Sequence, residues 1–155
     1  QRPFIIRFAP EDDPIADLVQ LAGLAERSIH FMTFSFTHDE LGAVMRERAA
    51  AGVVVRGIFE TFGSETIYSE MTPLFCAGID VRQDGNAGMF HHKVIIIDET
   101  VVVTGSLNFS DNAAGSNDEN YLMLADAGVA GLYMEEFDRR WAETRPLSAA
   151  DIDCR

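Results

Sequence analysis

The sequence predicts an α/β domain built on one mixed β-sheet. Short apolar runs rich in Val, Ile and Phe alternate with amphipathic segments as far as Gly78, which is typical of strands separated by crossover helices. Beyond Gly78 the strands dominate, and two of them are joined through Glu99 and Thr100, a link short enough for an antiparallel hairpin. Parallel and antiparallel pairs in one sheet make it a mixed sheet.

The first half of the chain is predicted to alternate strands and helices. Apolar residues recur at helical spacing from Ile15 to Ala25, after two prolines that mark the turn into a helix. They recur again at Leu41, Val44 and Met45, which predicts a second helix with one buried face. The predicted strands are 4–8, 28–36, 53–59 and 79–82, and the predicted helices are 15–25, 37 or 38 to 51, and 67–77.

The second half is predicted to consist mainly of strands. A polar stretch at 110–118 contains no predicted element, and the glycines at 83–88 predict either a plain turn or a lid over a site. The last helix is expected to turn Leu132, Phe137 and Trp141 towards the sheet. The predicted strands are 91–98, 100–106 and 119–125, followed by a helix at 129–143.

Length and composition favour one domain. We expect residues 1–145 to form it and residues 146–155 to be a tail or a truncated continuation, in a chain of 155 residues. The chain begins with Gln1 rather than Met, which we interpret as a processed or excised piece. Its apolar runs are far shorter than the roughly 20 residues that span a membrane, so no integral membrane segment is expected.

The net charge of −13 opposes non-specific attraction to nucleic acid or to anionic membranes. It leaves room for a local positive pocket inside an acidic protein. The two cysteines, Cys76 and Cys154, do not amount to a disulfide framework, and the sequence leaves their pairing open.

The single lysine of the chain, Lys93, stands at the head of a predicted buried strand. An ammonium group is rarely placed there unless a point charge is needed. Side chains alternate along a strand, so His91 and Lys93 share one face. Ser106 and Asn108 are two residues apart at the end of the partner strand, so they also lie on one face. The hairpin therefore brings an imidazole, an ammonium, a hydroxyl and an amide together. These groups suit a phosphate.

Glu119 opens the next predicted strand. We expect its carboxylate to hold the unreactive ring nitrogen of His91 and so to fix the tautomer of the imidazole, as a carboxylate does in a catalytic triad.

The spacing of these residues resembles the HxKxxxxDxxxxxxGSxN signature of the phospholipase D superfamily, and every fixed position matches. The acidic position that follows the signature in this family corresponds to Glu119. The order of strands and helices extends the resemblance to nearly the whole chain. The matching positions are His91, Lys93, Asp98, Gly105, Ser106 and Asn108.

The resemblance implies a phospholipase-D-like α/β/α sandwich and a two-step phosphodiester hydrolysis without a metal or other cofactor. His91 would become a phosphohistidine, Lys93 and Asn108 would stabilise the phosphoryl oxygens, and Ser106 would assist. Asp98 would be structural. A second histidine would come from another copy of the motif, either in a homodimer or in a second half of the same protein.

The compact size favours a nuclease-like substrate slightly, with hydrolysis of a phospholipid head group as the alternative. A third hypothesis is a half-domain that binds phosphate or nucleic acid without turnover, which the intact motif disfavours. A metal site is disfavoured because no Cys or carboxylate stands at ligand spacing from the histidines, which are His30, His38, His91 and His92.

For the remaining candidate residues, a structural role is at least as well supported as a role in the site. His92 points away from His91 and is expected to be packed or at the surface. Three residues after strand ends are expected to line the pocket or to cap helices: Thr37, Glu60 and Thr61. Three aromatic residues of one strand are assigned to the core rather than to base stacking: Phe31, Phe34 and Phe36.

Overall fold

The computed structural model of the chain describes residues 4–150 and 152–154, which form one eight-stranded sheet between helices. The strands are β1 (Phe4–Ala9), β2 (Ser28–Thr33), β3 (Val54–Phe59), β4 (Asp80–Gln83), β5 (Lys93–Ile97), β6 (Val101–Gly105), β7 (Glu119–Ala125) and β8 (Arg145–Pro146). The helices are α1 (Pro14–Gly23), α2 (Asp39–Ala50), α3 (Thr61–Ser64), α4 (Met71–Cys76), α5 (Asp111–Ser116) and α6 (Ala127–Trp141).

The strand order in the sheet is β1-β7-β6-β5-β2-β3-β4-β8. Strands β2, β3 and β4 are parallel to one another, and all other neighbours are antiparallel. The mixed sheet and the predicted hairpin are therefore confirmed, with Ile97 of β5 opposite Val101 of β6.

Apolar residues on both faces of the sheet make a three-layer α/β/α sandwich, as predicted. On one face the sheet packs against α1, α2 and α4, whose Leu18, Leu41 and Leu74 are fully buried. On the other face Phe137 of α6 packs against the sheet in a second core, which includes Met32 of β2. All five residues of β5 are buried because the strand is covered on both sides.

Several predicted boundaries differ from the structure. The strand predicted at 28–36 ends at Thr33, and the helix predicted at 67–77 begins only at Met71. Helices α3 and α5 were not predicted. Leu132 was predicted to face the sheet but is 66% exposed. The phase of α6 is set by Ala130 and Phe137, which are buried, and Leu132 lies on the opposite side of the helix.

The C-terminal residues are attached to the domain at two points. Arg145–Pro146 pairs with β4 at the edge of the sheet. Further on, Cys154 forms a disulfide with Cys76 at the end of α4, with 5.5 Å between the Cα atoms. The pairing that the sequence left open is thus present.

The turn between β5 and β6 is tied to the strand next to β5. The carboxylate of Asp98 accepts hydrogen bonds from the backbone N–H groups of Glu26 (3.0 Å), Arg27 (2.7 Å) and Ser28 (2.9 Å). Burial alone would raise the pKa of Asp98, but these donors together lower it below its usual range. The contacts are those of the structural residue that the resemblance implies.

No helix among the described residues is both long and apolar enough to cross a membrane.

Candidate active site

The strand directions bring one set of chain segments to the same edge of the sheet. Strands β2 and β3 end at this edge, β5 and β7 begin there, and β6 ends there. The five principal predicted site residues, His91, Lys93, Ser106, Asn108 and Glu119, therefore all lie at this edge, which we call the site edge.

His91 lies two residues before β5 and is exposed to solvent. Its segment is held in place because the backbone N–H of Phe34 donates to the carbonyl oxygen of His92 at 2.9 Å. The ring of Phe34 lies 4.8 Å from the His91 ring, so the imidazole has an apolar wall on one side and solvent on the other. An exposed, oriented imidazole is available to a substrate.

Lys93 begins β5, and only 7% of it is exposed. Its Nζ lies 3.3 Å from both ring nitrogens of His91 and 3.2 Å from the His91 carbonyl oxygen, and 5.2 Å from the centre of the Phe34 ring. Within the described residues Lys93 makes no ion pair. Burial lowers its pKa, and the negative charge of Glu119 opposes that effect in part.

Ser106 follows directly after β6. The glycine before it is required because a Cβ on Gly105 would lie 2.2 Å from the backbone oxygen of Asn120. The Ser106 hydroxyl donates to a carboxylate oxygen of Glu119 and accepts from the backbone N–H of Asn120 at 3.0 Å. The hydroxyl is thus fixed between the ends of β6 and β7.

Asn108 lies between two buried anchors, Leu107 and Phe109. The backbone of Phe109 bonds to the segment that follows β2, donating to Ser35 O at 3.1 Å and accepting from Thr37 N at 2.9 Å. Although its backbone is fixed in this way, the side-chain oxygen of Asn108 is buried and has no hydrogen-bond partner among the described residues. A buried polar atom without a partner is unusual. This oxygen can only accept a hydrogen bond, so the NH2 group of the same amide is the part suited to a phosphoryl oxygen.

The hydrogen bond predicted between Glu119 and His91 is not formed. Glu119 begins β7, and β6 lies between that strand and β5, so its carboxylate bonds instead to Ser106 and to Asn117 Nδ2 at 3.0 Å. Glu119 therefore positions the serine, and its charge acts on Lys93 through space.

The other histidines lie apart from this arrangement. His92 packs against Phe90 and lies 3.5 Å from Glu136 on α6, as expected for a packed residue. His38 caps α2, and His30 is buried against Phe137. Among the residues that the structure describes, no group of three or more His, Cys, Asp or Glu side chains is arranged to hold a metal ion.

Glu60 and Thr61 serve the local structure. The Glu60 carboxylate caps α3 at Phe62 N and also accepts from the backbone N–H of Phe90, while Thr61 donates to Asp84 O. Helix capping is therefore the better interpretation for Glu60, whereas the Thr61 hydroxyl joins α3 to the segment after β4.

One site residue was assigned to the core by sequence reasoning. Phe34 was expected to be buried with Phe31 and Phe36, and those two are fully buried, but Phe34 is half-buried and contacts His91. Its position just past the end of β2 was the available signal, because residues after strand ends line sites at such edges.

A cavity of about 360 Å³ opens beside His91. Residues of the 83–88 loop and of α6 contribute to its wall, so this loop borders the site. The lining residues are Asn86, Met89, Phe90, His91, His92 and Arg140.

Comparison with known proteins agrees with this geometry. Residues 18–141 match the family described as "Cardiolipin synthase, PLD-like domain". The mitochondrial cardiolipin hydrolase of Xenopus tropicalis is 36% identical over 137 residues, which are 88% of this chain and 65% of that protein. The phospholipase D of Rickettsia prowazekii is 31% identical over 133 residues, 86% of this chain and 65% of that protein.

The fold is shared with solved structures. Nuc from Salmonella typhimurium, a phospholipase D family member, superposes with a TM-score of 0.89 at 28% identity, covering 94% of this chain and 98% of that one. NucT from Helicobacter pylori superposes with a TM-score of 0.88 at 21% identity, covering 93% and 98%, which shows the fold alone.

The chain belongs to the phospholipase D superfamily, and the predicted α/β/α fold is confirmed. It spans about 65% of the length of the two curated relatives just compared. Those relatives are named as hydrolases or phospholipases.

Proposed function

We propose that this phospholipase D superfamily domain hydrolyses phosphodiesters through a covalent phosphohistidine at His91. The observation that carries the proposal is the ammonium of Lys93, which is buried and ion-paired with no carboxylate among the described residues. A buried charge without a counter-ion is costly in a folded protein. An anion bound between Lys93, His91 and Asn108 would supply the missing charge.

In the first step a ring nitrogen of His91 attacks phosphorus and one P–O ester bond breaks. The leaving oxygen takes a proton from a second histidine. Lys93 and the amide of Asn108 stabilise the charge that develops on the phosphoryl oxygens, and the fixed hydroxyl of Ser106 assists. The product of this step is a phosphoryl group on His91 and a free alcohol.

In the second step the other histidine accepts a proton from water, and the hydroxide attacks phosphorus. The P–N bond breaks, which returns His91 to its starting form and releases a phosphomonoester.

The second histidine is proposed to come from another copy of the motif. Within the described residues the other three histidines are committed elsewhere: His92 lies against Glu136, His38 caps a helix and His30 is buried. A two-fold homodimer, or a second half of the same protein, would bring another His91-type imidazole to the opposite side of the phosphorus. Its interface would include the loops beside Lys93 and Asn108 and residues 110–118.

We propose a phospholipid as the substrate in preference to nucleic acid. The two relatives compared above are named cardiolipin hydrolase and phospholipase D. The net charge of −13 opposes a polyanion such as nucleic acid and opposes an anionic bilayer too, so it is compatible with a zwitterionic phospholipid. A nuclease is the second candidate, since Nuc matches over nearly the whole fold.

The mechanism is tested by trapping the intermediate. The protein is mixed with each of four substrates in the presence of a chelator and quenched at alkaline pH: phosphatidylcholine vesicles, single-stranded DNA, duplex DNA and RNA. We expect turnover to survive the chelator. Mass spectrometry should find on the peptide that contains His91 an acid-labile phosphoryl group that still carries its remaining ester substituent, such as a phosphatidyl or a nucleotidyl group. The substrate that gives both signals identifies the class.

His92→Ala is the matched control, because it removes the neighbouring imidazole and should leave the phosphopeptide in place. Activity that the chelator abolishes and a divalent ion restores would refute the proposed chemistry. A protein that binds tungstate at Lys93 but turns over none of the four substrates would favour the non-catalytic half-domain.

Assembly is tested by sedimentation. We expect a dimer whose activity per chain falls on dilution, and full activity in a strictly monomeric chain would contradict the shared site.

A further inference from the structure

Four large apolar side chains beside the site edge project into solvent. Their exposed fractions are 81% for Phe62, 91% for Ile67, 73% for Tyr68 and 70% for Met89. We call this set the apolar rim. Side chains exposed to this degree contribute little to folding, and a cluster of them marks an interaction surface.

The apolar rim lies next to the proposed nucleophile. Helix α3, which carries Phe62, packs so closely on the backbone after β2 that a Cβ on Gly63 would lie 2.0 Å from Phe34 O. The Phe34 ring in turn contacts His91. From the other side Met89 lines the cavity that His91 also lines. Phe62 and Met89 therefore border the His91 side of the site edge. The segment with Ile67 and Tyr68 follows α3 and is held at the same edge by the backbone N–H of Glu70, which donates to Phe36 O at 2.9 Å.

The segments that carry the rim are joined to each other. The Glu60 carboxylate accepts from the backbone N–H groups of both Phe62 and Phe90, which links α3 to the segment before His91. Gln83 Nε2 donates to the Ser64 hydroxyl at 3.0 Å, which joins α3 to the end of β4. The rim is thus presented on a connected framework.

We propose that the apolar rim docks the protein on the surface of a phospholipid bilayer. Its side chains enter the boundary between head groups and acyl chains, and the mouth of the site then faces the lipid phosphates. This inference rests on the proposed function and deepens it, because it assigns the surface through which a lipid substrate would be presented to His91.

Charge disfavours nucleic acid as the occupant of this surface. Arg140, which lines the cavity with Met89, is paired with Glu136 and Glu143. Arg145, which donates to Thr61 Oγ1 at 3.0 Å, is a single cation. No Lys or Arg lies between Arg56 and Arg82, and within residues 61–69 the only side chain charged at neutral pH is Glu65. Nucleic acid is held mainly by cationic side chains on its phosphates. An apolar patch with so little charge suits insertion into lipid, where binding scales with the buried apolar area.

Area argues against a dimer interface formed by the apolar rim alone, apart from the interface proposed around Lys93 and Asn108. Four side chains of this size present on the order of 600 Å², at roughly 150 Å² each. A stable interface buries about 800 Å² on each partner and needs a matching surface. A bilayer deforms around a small patch, so it needs neither.

The test is co-sedimentation with sucrose-loaded phosphatidylcholine vesicles. The rim variant carries Phe62→Ser, Ile67→Ser and Tyr68→Ser, and the control variant carries Leu24→Ser and Leu132→Ser, which replace residues 68% and 66% exposed outside the rim. We expect the rim variant to lose about tenfold or more in its partition coefficient, and the control to stay within about twofold of the unaltered protein. Thermal melting shows whether both variants are folded.

The salt dependence of binding distinguishes apolar insertion from electrostatic adsorption, because only electrostatic adsorption weakens as ionic strength rises. Partition of the unaltered protein should be the same at low and high salt. Partition that salt abolishes, equal losses in the rim and control variants, or no partition of the unaltered protein would each overturn the proposal. A fall in dimer mass confined to the rim variant would assign the rim to a second copy instead. The readout requires no turnover, so a protein inactive on every substrate that binds vesicles in the expected pattern still supports the docking surface.

Discussion

The charged side chains at the two ends of β5 differ in whether the fold stabilises their charge. At one end, Asp98 receives backbone hydrogen bonds from Glu26, Arg27 and Ser28, and its pKa is lowered. At the other end, Lys93 is buried, forms no ion pair among the described residues, and has its pKa lowered by desolvation.

A lowered pKa therefore has opposite meanings at the two ends. For an acid it means that the fold stabilises the charged form, and for a base it means that the fold destabilises it. The Asp98 end contributes stability to the domain. The Lys93 end reduces stability in the free protein, and under the proposed function an anion would supply the missing opposite charge.

The largest effect is expected at the proposed nucleophile, His91, which lies beside Lys93. His91→Ala should lower turnover about 1,000-fold or more, because a nucleophile has no substitute in a covalent mechanism. His92→Ala should cost less than about tenfold, since that side chain packs against α6. Steady-state rates with matched melting curves check this, and equal losses in the two variants would break the assignment.

The next effect separates function from stability at Lys93. Lys93→Met should lower turnover about 100-fold or more and should raise the free energy of unfolding by about 1 kcal/mol, since an unpaired buried charge is replaced by an apolar chain of similar length. The folded protein binds this proton less tightly than the unfolded chain does. Stability should therefore rise with pH between the lowered pKa and the usual lysine pKa.

That alkaline rise should disappear in Lys93→Met. Denaturant titrations at several pH values measure it. A large loss of stability in Lys93→Met would show that the ammonium has a structural partner and would remove the contrast between the two ends.

The reverse pattern is expected at Asp98. Asp98→Ala should lower the free energy of unfolding by about 2 kcal/mol, because three backbone donors lose a charged acceptor. The folded pKa is lowered, so this stabilisation is present above the usual Asp pKa and is lost as the pH falls through the lowered value.

Asp98→Asn is the control, since it keeps one acceptor oxygen and tolerates the left-handed backbone (φ 52°) found there. It should cost less than Asp98→Ala. Turnover per folded molecule should stay near normal in both variants, and a selective loss of rate would give Asp98 a role in the chemistry.

The smallest effect concerns a buried base away from the site. Burial, with a contribution from Arg56, lowers the pKa of His30, whose Nδ1 has no hydrogen-bond partner among the described residues. The unfolded chain binds this proton more readily, so stability falls as the pH drops below the usual His pKa. His30→Leu should reduce that acid loss by about 1 kcal/mol or less, as urea titrations at pH 5 and pH 8 can show. A larger acid loss in the variant would contradict this sign.

Sequence reasoning predicted the hairpin, and it predicted that the candidate site residues of the hairpin lie together, because local patterns determine both. Strand alternation placed His91 and Lys93, and the short link fixed the antiparallel pair. The outcome for Glu119 differed because its partner depends on the order of strands, which puts β6 between β7 and β5. No local pattern carries that information.

The sequence left the disulfide open and gave the wrong orientation for Leu132, for related reasons. Cys76 and Cys154 are 78 residues apart, so only the path of the chain around the sheet brings them together. Leu132 fits an amphipathic pattern, but the phase of α6 is chosen by the larger apolar contacts around Phe137. Helix α5 was not predicted because its residues are polar or small and show no apolar periodicity. It begins at a Ser110 cap within a stretch whose composition resembles that of a loop.

The central claim is that the buried ammonium of Lys93 binds a phosphoryl group of the substrate. The most direct measurement is a crystal soaked with tungstate, whose oxygen atoms occupy the positions of phosphoryl oxygens. We expect the anion to bind within hydrogen-bond distance of Lys93 Nζ and the Asn108 amide, with a ring nitrogen of His91 facing its central atom. Tungstate bound elsewhere, with Lys93 paired to a carboxylate or turned to solvent, would contradict the account.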